Sequence, residues 1–189
     1  MIPEDKARRW RTLALAREAV ELGARVAVTS AFTGVPRAEV QRLFYGRSIT
    51  GRSAGRVPYS PYWYVAESLF VQIQSAFFHA SFRTLRDLGH PPAEALVAAY
   101  KHYRRHFGHD LRLSFDRAFE LVTHLDGLWT TEPPRLMTVV CHSCKATYLS
   151  PRGDEPVGTG ECPFCKVVRS GNGRLLKYIL PAQSLADAG

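Results

Sequence analysis

Four cysteines, all the thiols of this 189-residue chain, stand as two pairs, Cys141-His-Ser-Cys144 and Cys162-Pro-Phe-Cys165. Seventeen residues separate the pairs, inside the window of roughly fifteen to twenty expected of a tetrathiolate site. A two-residue gap lets both thiolates of one knuckle reach a single ion, and two knuckles complete a tetrahedron. Four sulfur ligands leave no position open for water or substrate. The expected cofactor is therefore one Zn2+ per chain, structural and without chemistry of its own. Iron of the rubredoxin kind shares this ligand set, though zinc is the commoner occupant of a closed four-sulfur site. Disulfides are disfavoured, because the opening Met-Ile-Pro-Glu-Asp-Lys is acidic and carries no apolar signal segment. Redox use of one C-x-x-C would place it at the opening of a helix in a βαβ unit, and here the motif occurs twice. His142, between two ligands of one knuckle, cannot easily reach the same ion and is expected to be exposed.

The elements that must hold these ligands change character along the chain. After Pro134, Leu136–Val140 and Lys145–Leu149 read as short strands around the first knuckle, and Leu175–Leu180 as another beyond Gly171-Asn-Gly173. Strands bracketing two knuckles describe a zinc ribbon. The expected fold is mostly α: a helical domain over 1–133 with a helix-turn-helix-like segment, then a small four-cysteine, zinc-ribbon-like β module over 134–181. Residues 182–189 read as a frayed tail.

In the helical part, residues 5–24 carry Trp10, Leu13, Leu15, Val20 and Leu22 at roughly helical spacing, with a weak point at Gly23. A second helical segment runs from Ala24 to Phe32. Thr33-Gly34-Val35 reads as a tight turn, and Pro36 suits the first position of a helix reaching about Tyr45. Val35, Val40 and Leu43 would anchor that helix inward, leaving Arg37, Ala38, Gln41 and Arg42 outside, as on a recognition helix; any helical hairpin with a glycine turn gives a similar trace. Pro61–Leu88 reads as the longest helix, with a 4,3,4,3 stripe of Ala66, Phe70, Ile73, Phe77 and Ala80. Phe78 and Phe82 widen the stripe, which suits core packing or a shared partner face. Pro92 starts another helix to Phe107, and Ser114 caps a last one carrying Phe115, Phe119 and Leu125. The basic end of the Pro92 helix, with His102 and His106, suits the helix dipole better than a metal, since no third ligand accompanies the two histidines.

Charge narrows the partners. Twenty-five Lys and Arg face seventeen acids, a net +8 with a pI near 9.6. Zinc on four thiolates subtracts a net two and leaves the chain basic. Such a balance suits a polyanion, most often nucleic acid. Pro36–Ser60 holds Arg37, Arg42, Arg47, Arg52 and Arg56 against one acid, Glu39. Arg37, Gln41 and Arg42 are the candidates for DNA base contacts, and Arg47, Arg52 and Arg56, on a Gly/Arg-rich arm, for backbone contacts. Lys166 and Arg169, followed by Arg174 and Lys177, form a further basic group after the last cysteine. A solvated basic face is the plain alternative for each cluster. An apolar fraction of 46% suffices for a core, and no run of eighteen apolar residues is free of charge, so no membrane helix is expected.

Catalytic residues are not expected. Gly46–Ser53 comes within one residue of a phosphate-binding loop, with Arg52 where lysine belongs. Gly51-Arg-Ser-Ala-Gly55 spells a hydrolase elbow at Ser53, but its flanks are polar loop and Val57-Pro58 rather than strand and helix. The deaminase pattern of H-x-E with a proline before C-x-x-C is absent.

With these pieces in order the chain resembles the FlhC family, the larger subunit of a bacterial flagellar master activator. The resemblance runs from about Leu13 to Cys165. It rests on Leu22-Gly-Ala-Arg25, on Val35-Pro-Arg-Ala-Glu-Val-Gln-Arg-Leu43, on Gly55-Arg-Val-Pro-Tyr-Ser60 with Trp63-Tyr64, and on the two knuckles. It implies a cytoplasmic DNA-binding activator in a heterohexamer of two such subunits with four of the smaller partner FlhD. It also implies binding upstream of flagellar promoters and contact with RNA polymerase. By position Cys141, Cys144, Cys162 and Cys165 inherit the zinc-ligand role. The chain departs from the family in its thin basic run after Cys165 and in its Gly/Arg-rich stretch before Val57. A rival reading from the residues alone is a zinc-ribbon interaction protein that binds RNA or another protein without reading DNA.

Overall fold

The computed structural model describes residues 4–46, 60–153 and 162–179. The arginine-rich arm with Arg47, Arg52, Arg56 and Ser53 lies outside them. α1 (Glu4–Glu21) starts with Glu4 and Asp5 in its first turn, where carboxylates favour the positive end of the helix dipole. Gly23 turns the chain in a left-handed conformation, φ +96°, and α2 (Val26–Thr33) follows. Gly34, φ +74°, caps α2 by donating its N–H to the Ser30 carbonyl, as expected of a helix-ending glycine.

Pro36 is the N-cap of α3 (Arg37–Val40), one residue before its expected place, and the helix continues as a π turn over Gln41–Tyr45. The turn changes which residue faces inward. Val35 and Val40 are buried with Val20, but Leu43 is 45% exposed, against expectation, and Tyr45 is buried in its place. A π turn brings i and i+5 onto one side, so Tyr45, not Leu43, follows Val40. The Tyr45 hydroxyl donates to the Ala24 carbonyl and ties the segment to the start of α2.

The expected single helix over 61–88 is two. α4 (Trp63–Ala66) stops at Glu67, and Ser68, extended at φ −156° and ψ 159°, caps α5 (Leu69–Asp87) by accepting the Val71 N–H at 3.3 Å. Serine competes for backbone bonds within a helix but serves well at its cap. The expected stripe is correspondingly displaced. Ala66 and Ala80 are exposed, Phe70 and Phe77 half-buried, whereas Phe78 and Phe82 are wholly buried in the main core. Those two phenylalanines are thus spent inside this chain. Phe70 instead lies between the guanidiniums of Arg112 and Arg174, and Phe77 stacks on His106 with centroids 4.3 Å apart.

α6 (Pro92–Phe107) and α7 (Phe115–Asp126) form as expected, the latter capped by Ser114, which accepts the Arg117 N–H. The loop between them is fastened by a buried side chain of α5. Gln74 donates to the Asp110 carbonyl at 2.7 Å and accepts from the Arg112 N–H at 2.8 Å and from the Tyr103 hydroxyl. Tyr103 in turn accepts the Leu113 N–H at 2.9 Å. Every polar group of this network has a partner, which is the condition for burying it.

β1 (Leu136–Val140) pairs antiparallel with β2 (Thr147–Pro151), Val140 opposite Thr147. Leu136 and Leu149 pass inward into the main core. The expected third strand is not found among the described residues. Beyond Cys162 the chain forms α8 (Pro163–Ser170) and α9 (Gly173–Ile179), so Leu175–Ile179 is helical. No helix among the described residues is long and apolar enough to cross a membrane.

Replacing Gln74 with Leu takes the donor from the Asp110 carbonyl and the acceptor from the Tyr103 hydroxyl, while the Arg112 N–H keeps the Tyr103 hydroxyl at 3.0 Å. Urea unfolding should show a loss of about 2–4 kcal/mol, and Tyr103→Phe a smaller one.

Candidate metal centre and nucleic-acid interface

The first knuckle is the turn of the hairpin. Cys141 donates its N–H to the Ala146 carbonyl at 2.9 Å and accepts the Lys145 N–H at 3.0 Å. Lys145 closes this turn at φ +61°, a left-handed position that side chains other than glycine rarely take. The second knuckle is built differently. Cys162 is extended and caps α8, its Sγ accepting the Cys165 N–H at 3.3 Å, with Pro163 as first helical residue. The signals for this helix are local: proline at its first turn, Gly171 just past its end, and Phe164 and Val167 three apart. The short β-type run at Leu175 masks them. This C-x-x-C therefore does open a helix, but among the described residues no βαβ unit surrounds it, and a second pair faces it.

The four Sγ atoms lie within 4.8 Å of one another. Cys141 and Cys165 are 3.8 Å apart, Cys144 and Cys162 3.4 Å. Zinc–sulfur bonds of about 2.3 Å set tetrahedral edges of about 3.8 Å, so the cluster fits a closed tetrathiolate ion. Electrostatics agree with that fit. The Cys144 N–H, with help from the neighbouring thiols and the Ser143 N–H, draws the Cys141 thiol down to about 6. Burial pushes the Cys162 thiol up. A divalent ion favours the thiolate form of its sulfur ligands. The cluster can hold a metal ion, and His142 is exposed beside it.

Two attachments place the centre. Val167 of α8 and Leu175 of α9 are buried against Ile73 of α5. Asp110 receives Arg174, Lys177 at 3.4 Å and the Tyr178 hydroxyl at 2.7 Å. Those bonds, the Arg174 guanidinium foremost, hold the Asp110 carboxyl far below the usual range. In the sequence Arg174 and Lys177 count among free basic residues, and nothing singles out Asp110, whose partners lie more than sixty residues away. His106 also joins this seam, bonding the Tyr178 carbonyl at 3.2 Å.

Of the candidate DNA residues, Arg37, Gln41 and Arg42 are exposed on the α3–π segment. Lys166 and Arg169 are exposed on α8, which packs on α5 and α9, whereas α3 packs on α2. The candidates thus form two groups on elements with different neighbours.

The sequence model of the flagellar transcriptional activator family, FlhC, matches residues 6–177. The chain belongs to the FlhC family. Relatives share low identity over most of its length. A flagellar transcriptional regulator FlhC of Cupriavidus metallidurans is 28% identical over 144 residues, 74% of this chain and 64% of that protein. The FlhC of Xenorhabdus nematophila is 25% identical over 88% of this chain and 84% of its own, and that of Paraburkholderia atlantica 26% over 95% and 81%. The chain thus spans just under two thirds of the Cupriavidus protein. The FlhC match takes in both cysteine pairs and the α2–α3 hairpin.

Two measurements probe the centre. Metal analysis of the purified chain should find about one zinc per chain, falling toward zero in Cys162→Ser after dialysis against a chelator. Asp110→Asn should raise amide exchange across 163–179. Because the Asp110 carboxyl is lowered by folding, its contribution is present above the unfolded value of 3.8 and fades as pH falls below it. The mutant should therefore match the parent in acid and exchange faster near neutrality.

Proposed function

We propose that this FlhC-family chain is a non-enzymatic, DNA-binding activator subunit of flagellar operons, acting in the cytoplasm with FlhD in an assembly of two and four copies and touching RNA polymerase. One observation carries the reading. The α3–π segment is fastened on its inner side by Val35, Val40 and Tyr45 while Arg37, Gln41 and Arg42 face solvent. A helix so held, following a glycine turn, offers polar forks to base edges without moving its own core. Arg47, Arg52 and Arg56, together with Lys166 and Arg169, would neutralise phosphates.

The ion in this reading is zinc, and its role is structural. The knuckles, seventeen residues apart in the chain, come from a hairpin and a helix, and one ion would hold them together at the edge of the helical domain. Supplied by the four thiolates alone, such a site has no vacancy for a substrate.

Gel shift and anisotropy on a flagellar promoter fragment and a random duplex test the reading, with and without FlhD. Arg42→Ala should cost about 1–3 kcal/mol on the promoter only and relax its specificity. Arg52→Ala should weaken both duplexes alike and lower the salt slope by about one. Equal losses on both duplexes for Arg42→Ala would remove the recognition role of α3. A protein that shifts no duplex, even with FlhD, would favour a protein or RNA partner.

A further inference from the structure

The first half of α1 contributes little to the core. No residue from 4 to 15 is buried, and the helix reaches the interior only with Ala16, Ala19 and Val20. Yet residues 4–17 carry Lys6, Arg8, Arg9, Arg11 and Arg17 against Glu4 and Asp5, and Trp10 among them is 69% exposed. Trp10 thus stands on a basic helix with most of its surface open to solvent.

Its position is set by two contacts with the helix-turn-helix segment. Leu13 packs on the cluster of Val20, Val35, Val40 and Tyr45. Arg9 donates to the Glu39 carboxylate at 2.6 Å across a groove lined by Leu13, Gly34 and Pro36. At 100° per residue, Arg9, Leu13 and Val20 form the stripe toward α3, and Lys6, Trp10 and Arg17 form the adjoining shoulder. Arg17 is occupied by Glu21 at 2.9 Å and Arg8 by Asp5 at 2.6 Å; Lys6 and Trp10 remain toward solvent.

Glu39 makes this placement informative. It is the one acid between Pro36 and Ser60, on the helix that would lie against a polyanion. An unpaired carboxylate there repels phosphate, and the Arg9 guanidinium cancels it.

We propose that the N-terminal half of α1 is a second wall of the DNA-binding surface, with Lys6 and Trp10 against the sugar–phosphate backbone and Arg9 neutralising Glu39. This rests on the DNA-binding reading of α3. Lys6 supplies a point charge for a phosphate, and the Trp10 ring supplies apolar area for a sugar edge. Arg9 is a positioning residue and touches no base.

The test uses the full zinc-loaded chain, alone and with the partner subunit proposed above, on a labelled promoter fragment and a random duplex. Arg9→Ala should weaken both about five- to ten-fold, and Arg9→Ala with Glu39→Gln should return both to within about two-fold of the parent. A merely structural Arg9 would not be rescued by removing the second charge. Duplex should also change tryptophan emission in the parent and not in Trp10→Phe. Unchanged binding in Arg9→Ala, failed rescue by Glu39→Gln, or the same emission change in Trp10→Phe overturns the proposal while DNA binding itself stands. If the parent binds neither duplex, the DNA-binding reading fails first and this proposal with it.

Discussion

A single residue of the α6–α7 loop joins α5 to α9. The Asp110 carbonyl accepts from Gln74 in the core, and its carboxylate holds Arg174, Lys177 and Tyr178 of α9. A buried amide must satisfy both its donor and its acceptor, so Gln74 fixes the loop to within a hydrogen-bond length. The loop then presents a carboxylate at one place on the surface, and the last helix has somewhere definite to dock. The position of the second cysteine pair follows, since α8 and α9 move together through Val167 and Leu175.

The four-cysteine cluster is thus a meeting of two independently supported pieces. The hairpin is anchored by Leu136 and Leu149 in the main core, and α8 by Val167 on Ile73. Both supports lead back to α5, whose neighbours include α6, α7, α8 and β2. A helix packed on so many sides cannot show one clean apolar stripe. Its polar boundary is covered by cations and imidazoles instead, as Phe70 between two guanidiniums and Phe77 on His106 illustrate.

At the other end the same economy leaves charge outside. Val35, Val40 and Tyr45 consume the inner side of the helix-turn-helix segment, and what remains exposed includes Arg37, Ala38, Gln41, Arg42 and Leu43. The π turn matters here because it rotates the residues beyond Val40 and turns Leu43 outward. A basic surface flanking an exposed leucine and tryptophan is chemically unlike the seam near α9, where Arg174 and Lys177 are spent on Asp110, although both looked alike as clusters of positive charge in one dimension.

Residue order alone marked the four-cysteine cluster, the helix-ending glycines, the Ser114 cap and the first strand. Each depends on spacing or backbone preference within a few residues, and local physics decides it. The four thiols were legible because the two-residue gap is itself the geometric requirement. Tertiary packing settled the rest. Whether Leu43 or Tyr45 turns inward depended on a neighbour at Ala24, and whether Phe78 or Phe77 faces the core depended on which elements surround α5. Whether Arg174 is free or paired depended on an aspartate sixty-four residues earlier. Leu175 reads as strand by composition and becomes helix because burial against Ile73 and the Asp110 contacts reward a helical face. Propensity differs by only a few tenths of a kcal/mol per residue, so long-range packing outweighs it wherever a segment is short.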